Sequence, residues 1–110
     1  MLNMWNNFDA PSDKTLLEYD ELRYFITGYF TQGIEWSELE IVAKDFLDRE
    51  PADRVAELQR NLCSLQALLD NYNQERWNEI EQFICEPSMR RLHFKDGQEF
   101  IDKVSRGLHR

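Results

Sequence analysis

Two cysteines, Cys63 and Cys85, and two histidines, His93 and His109, are the residues of this chain best suited to nucleophilic or metal chemistry. Cys85 with His93 would make a thiol–imidazole pair, but the sequence implies no third group to orient it. Cys85 falls on an otherwise apolar helix face and Cys63 beside a leucine stripe, so both are expected as buried, inert thiols. The four residues are separated by 21, 7 and 15 others, unlike the close ligand pairs of structural zinc sites. The acidic stretch Asp45-Phe46-Leu47-Asp48-Arg49-Glu50 lacks the alternating oxygen ligands and central glycine of a calcium loop. No P-loop, dinucleotide glycine pattern or nucleophile elbow occurs. A two-carboxylate hydrolase needs one acid in an apolar setting that raises its pKa, and no acid is expected in such a place. No metal and no cofactor are expected, and the balance falls against an enzyme.

What is specific is acidic and aromatic character side by side. Glu18, Asp20 and Glu21 flank the face of one predicted helix. Glu35, Glu38 and Glu40 crowd the start of the next, beside Trp36. Asp45 and Asp48 stand three apart on that second helix and point largely outward, because Leu39, Val42, Phe46 and Leu47 claim its apolar face. Acids near helix starts complement the helix dipole. A surface of this kind also offers carboxylates to the lysines and arginines of a basic protein, as a phosphate backbone would.

Five predicted helices position these residues. The first runs from about Thr15 to Phe30, with Leu22, Phe25, Ile26 and Tyr29 at i, i+3, i+4, i+7 spacing. Thr15 with Glu18 fits a capping box, and Thr31-Gln32-Gly33 supplies the stop. The second has Ser37 as N-cap, Glu40 as its reciprocal partner and Trp36 with Ile41 as a hydrophobic staple. Pro51 stops it and opens the third, whose Val55, Leu58, Leu62, Leu65 and Leu69 form a stripe that Leu68 broadens. Asn73 caps the fourth, with Tyr72 and Trp77 as its staple and Trp77, Ile80, Phe83 and Ile84 on its apolar face. Pro87 ends it. Residues 87–95 are irregular, with Leu92-His93-Phe94 extended. Asp96 with Glu99 boxes the fifth helix, which carries Phe100, Ile101, Val104 and Leu108. An all-α bundle or array over residues 1–110, a single domain, follows, since each amphipathic stripe is buried only against the others.

Composition agrees. The 110 residues are 42% hydrophobic and include 14 aromatic side chains (7 Phe, 4 Tyr, 3 Trp), which argues for a packed core despite a mean hydropathy of −0.67. A net charge of −8 repels phosphate backbones and anionic membrane surfaces, so direct nucleic-acid or membrane binding is not expected. Met1-Leu2-Asn3-Met4-Trp5-Asn6-Asn7 has no basic region followed by an apolar stretch, and two cysteines make no disulfide framework, so a cytoplasmic location is expected. Residues 1–89 carry a net −11 and residues 90–110 a net +3. Two accounts stand: a basic C-terminal helix docking on an acidic body, or an acidic face kept free for a basic partner.

The stretch from Tyr19 to Leu69 resembles the immunity proteins of bacterial contact-dependent growth inhibition. The resemblance is carried by Tyr19-Asp20-Glu21-Leu22-Arg23-Tyr24-Phe25-Ile26-Thr27-Gly28-Tyr29-Phe30-Thr31-Gln32, then Trp36, then Ile41-Val42-Ala43-Lys44-Asp45-Phe46-Leu47 with Glu50, and the leucine-rich helix after Pro51. That family shows a Gly-Tyr-Phe-His-Gln-Asp-like run at the end of its first helix; here Thr31 and Gly33 stand where it has the His and the Asp.

The resemblance implies a small cytoplasmic helical protein that binds one-to-one to the C-terminal toxin domain of a cognate exoprotein. Such toxins are often nucleases, basic around the active site. The expected action is occlusion of the toxin's active site or substrate path, through an interface of on the order of 1,200–2,000 Å². The expected contact residues are Asp20, Glu21, Glu35, Trp36, Glu38, Asp45 and Asp48. Two other readings are a helical adaptor or regulatory subunit for another basic protein, and a small hydrolase using paired carboxylates or Cys85.

Overall fold

Amphipathic stripes with periods near 3.6 leave each helix one apolar face, and the fold is the arrangement that buries all of them together. A computed structural model describes residues 16–109, all-helical and without a strand among them. The five helices are α1 (Asp20–Gly28), α2 (Leu39–Arg49), α3 (Ala52–Asp70), α4 (Gln74–Cys85) and α5 (Gly97–Gly107), with 3₁₀ turns at Trp36–Glu38, Glu86–Ser88 and Phe94–Asp96. The long α3 lies in the middle. It packs on α1, α4 and α5 and touches α2, while α1 pairs with α4 and α2 with α5.

The shared core holds Leu22, Phe25 and Ile26 of α1, Leu39, Ala43 and Phe46 of α2, and Val55, Leu58, Leu62 and Leu65 of α3. Trp77, Ile80 and Ile84 of α4 and Phe100, Ile101 and Val104 of α5 complete it. The α2–α5 pair is the closest. A Cβ on Gly107 would come within 2.5 Å of both the Ala43 Cβ and the Glu40 carbonyl oxygen, so two small residues let the backbones approach. Arg106 then reaches Glu40 at 3.1 Å. Helix α5 thus docks on α2 with one ion pair across the seam, although Glu99 and Asp102 balance Lys103 and Arg106 and leave the helix itself without net charge.

The predicted stripes match these faces, but several local details differ. Leu16 and Leu17 are helical, but a turn at Glu18–Tyr19, in which the Tyr19 N–H donates to the Leu16 carbonyl, interrupts the predicted first helix, and α1 begins at Asp20. Thr15 and the Met1–Asn7 stretch lie outside the described residues. Only Asn73 supplies a side-chain cap among the described α-helices, its Oδ1 accepting from the Arg76 N–H at 3.2 Å. Ser37 sits inside a 3₁₀ turn rather than capping α2, and Asp96 precedes α5 without a side-chain cap bond. Neither predicted staple forms. Tyr72 is 84% exposed on a left-handed backbone (φ 53°), and Ile41 is 63% exposed while Trp36 turns its ring inward. Within Leu92-His93-Phe94 the backbone is extended at His93 (φ −72°, ψ 151°), and Phe94 opens a 3₁₀ turn.

One helix end that lacks a local cap, and two of the connecting segments, are held by distant side chains instead. The buried Asn61 amide of α3 accepts the Leu22 N–H at 3.0 Å and donates to the Glu18 carbonyl at 2.7 Å, so it caps α1 from another helix. Glu81 of α4 accepts the Leu92 N–H at 2.6 Å and pairs with Arg91, and the Trp77 indole donates to the Leu92 carbonyl at 2.9 Å. Arg90 stacks over Phe30 at 3.8 Å and donates to the Thr31 and Ile34 carbonyls, holding the turn that follows α1. These bonds engage backbone groups of Glu18, Leu22, Ile34 and Leu92 that no local partner among the described residues takes up, and reinforce the Thr31 carbonyl, which also accepts the Ile34 N–H. Within that turn Gly33 takes φ 104°, a conformation costly for side chains with a Cβ.

One expectation about the thiols is reversed. Cys85 is buried, but Cys63 is exposed. Residue 63 is one step past Leu62, about 100° around the helix, which carries it off the leucine stripe and out to solvent. A thiol-reactive aromatic disulfide is therefore expected to label one cysteine in the native protein and both after denaturation. Cys63→Ser should abolish the native reaction; labelling that persists in this variant would contradict the placement.

Candidate functional site

Three parts of the surface bear on recognition, and the outward face of α2 is the first. Relative to Ile41, Glu38 stands three residues before, Asp45 four after and Asp48 seven after, so all four share one side of the helix. Glu38 and Asp48 are exposed and Asp45 is half-buried. Ile41, 63% exposed, is an apolar centre with Glu38, Asp45 and Asp48 around it and the exposed Lys44 and Arg49 interleaved on the same side. Asp48 is engaged within the chain, whereas Glu38 and Asp45 form no ion pair with another described residue. Glu35 is exposed at the start of the preceding 3₁₀ turn. Trp36, beside it, is half-buried, its ring 5.7 Å from that of Phe30 and 6.3 Å from that of Phe100. Its larger part is packing.

Aromatic packing connects this face to α1. The Phe46 ring is 5.6 Å from Phe25, 5.1 Å from Tyr29 and 6.2 Å from Tyr24. Above it, the Tyr24 and Tyr29 hydroxyls both donate to Oε2 of Glu50, at 2.8 and 2.6 Å. Glu50 is the residue that ends α2, so two phenols of α1 and its following turn clip the α2–α3 corner. Tyr24, 41% exposed, carries the Arg54 guanidinium 4.5 Å above its ring, and Arg54 reaches Glu21 at 3.4 Å. Asp20 and Glu21 share a depression of about 370 Å³ with Tyr24 and Arg54.

The carboxyls here titrate in opposite directions. Hydrogen bonds from Tyr29 and then Tyr24 lower the Glu50 pKa below its ordinary 4.5. Burial raises that of Glu21 despite the pull of Arg54, which corrects the expectation that no acid lies in such a setting. Burial, then the bond to Glu50, pushes the Tyr29 phenol up to about 12. The Glu50 contribution to stability is therefore complete above pH 4.5 and lost as pH falls through its lower folded value. Glu21 has the opposite sign: its contribution is complete below pH 4.5 and lost as pH rises through its higher folded value. The Tyr29 contribution is complete below pH 10 and lost on the way to about 12. Urea midpoints followed across pH should show Glu50→Gln flattening the acid limb and Tyr29→Phe the alkaline limb. Variants that titrate in parallel with the parent would contradict the clip.

A larger cleft, about 750 Å³, lies between α4 and the segment after it, lined among others by Glu81, Cys85, Met89, Arg91 and His93. It brings the two residues of the thiol–imidazole pair to one place. Burial, reinforced by the charge of Glu81, pushes the Cys85 thiol up to about 12, the reverse of what activates a thiol nucleophile. Among the described residues no group of three or more His, Cys, Asp or Glu side chains could hold a metal ion. No described helix is long and apolar enough to cross a membrane.

Glu50, Tyr24 and Tyr29 are what inspection of the sequence left out of the site. Their spacing carries no signal of a shared hydrogen bond, because 21 and 26 residues separate the phenols from the carboxylate. Glu81 and Asn61 were legible in principle: each falls in core register, at i+4 from Trp77 and i+3 from Leu58. Comparison with protein-family models, curated proteins and solved structures finds no match to this chain.

Proposed function

We propose that this chain is an immunity protein of contact-dependent growth inhibition, a stoichiometric inhibitor rather than an enzyme. It acts in the cytoplasm, binding one-to-one to the C-terminal toxin domain of a cognate exoprotein, a basic nuclease, and covering its active site or substrate path. The observation that carries this reading is the outward face of α2, where Glu38 and Asp45 flank the exposed Ile41. Unpaired surface carboxylates accelerate encounter with a basic protein, while an apolar centre that loses its water on docking slows release. The resemblance over Tyr19–Leu69 names the system, and four of the C-terminal segment's bases support the division of labour. Arg90 and Arg91 brace loops and Lys103 pairs with Glu99, so only Arg106, on Glu40, is spent on α2; Glu38, Asp45 and Asp48 then outnumber Lys44 and Arg49 on its outward face.

The test is co-expression with the toxin domain encoded beside this gene. The expected result is rescued growth and a one-to-one complex that weakens as salt rises. Rescue without salt sensitivity would keep the function and overturn the acidic-face mechanism. No rescue and no complex, with both proteins folded, would overturn the immunity reading.

A further inference from the structure

Helix α3 carries an arginine in its first turn, Arg54, where a positive charge opposes the helix dipole. Its guanidinium leaves its own helix, lies 4.5 Å over the face of Tyr24 and meets Glu21 at 3.4 Å. The hold is loose: the ion pair is long, and the Arg54 side chain stays 45% exposed against 13% for Glu21. The receiving groups are firmly placed. Glu50 holds the Tyr24 hydroxyl at 2.8 Å, which presets the ring, and Glu21 lines, with Thr27, Pro87 and Arg54 itself, a depression of about 370 Å³. Asp20 stands exposed at its rim. The other cation there, Arg23, is held 4.7 Å above Phe83.

We infer that the Tyr24 ring face and the Glu21 carboxylate at the edge of this depression form a seat for an arginine side chain of a basic protein partner, occupied in the free protein by Arg54 as a displaceable stand-in. An aromatic face beside a sheltered carboxylate suits a guanidinium better than an ammonium, since the planar group stacks and donates two parallel hydrogen bonds at once. The surrounding acids, Asp20, Glu21 and Glu50, give the seat the sign that attracts such a partner, and the preset ring lowers the cost of ordering. The identity of the partner rests on the function proposed above; the seat itself does not.

The test therefore needs no toxin. Arg54→Ala and, separately, Arg54→Gln would be titrated with N-acetyl-arginine amide while the Tyr24 ring resonances are followed by NMR. Saturable shifts are expected, with half-saturation on the order of 10 mM. The lysine analogue should bind at least about threefold more weakly, and the parent chain at least about fivefold more weakly because its seat is filled. Tyr24→Leu in the Arg54→Ala background, followed at neighbouring backbone amides, should remove the response. Equal responses in parent and variants, or no preference for arginine over lysine, would overturn the seat. Failure of co-expression rescue with this titration intact would overturn the immunity reading alone.

Discussion

Replacing Phe46 with alanine is expected to destabilise the protein by about 3–5 kcal/mol, the largest loss from a single substitution near the candidate site. The ring is fully buried and stands edge-on to three others, Tyr24, Phe25 and Tyr29. Truncation removes the transfer energy of the ring and leaves a void that a rigid aromatic cluster fills poorly. Against a total stability of about 5–15 kcal/mol, such a loss should lower the melting temperature by roughly 15–25 °C. It should also loosen the Tyr24–Glu50–Tyr29 clip, visible as a weaker near-ultraviolet dichroism signal. Phe46→Leu should cost clearly less. A loss below about 1 kcal/mol for Phe46→Ala would mean that the four rings do not form one packed unit.

The second large effect concerns binding. Reversing two charges, Glu38→Lys with Asp45→Lys, should weaken the proposed toxin complex by on the order of 10–100-fold, chiefly through slower association. Its salt dependence should shrink with it. Glu38 is exposed and Asp45 half-buried, neither in an ion pair with another described residue, so stability should stay within about 1 kcal/mol of the parent. Ile41→Ala should act on the other rate, speeding dissociation with association little changed. The two phenotypes separate steering from docking. If both variants bind like the parent while the complex still forms, the partner meets another face.

Local information went far in this chain because helices are local structures. The spacing of Leu22, Phe25 and Ile26, of Val55 through Leu65, and of Phe100 through Val104 was enough to place an all-α fold, five helices and most of the core. Asn73 and Pro87 marked real boundaries. The outward direction of Glu38 and Asp48 followed from the same periodicity, since a helix that buries Leu39, Ala43 and Phe46 must turn its other side to water. Cys63 shows how narrow the margin is, for one position along α3 separates the buried stripe from solvent.

Tertiary structure decided how α1 is capped and what joins the helices and the segments between them. Asn61 capping α1, Glu81 holding Leu92, Arg90 gripping the carbonyls of Thr31 and Ile34, and the two phenols meeting on Glu50 all link groups between 11 and 59 residues apart. Such pairings exist only after α3 has brought the other helices together around it. An amphipathic period reports which side of a helix avoids water; which polar atom closes a distant helix end depends on how the packed helices sit against one another, and no local spacing encodes that.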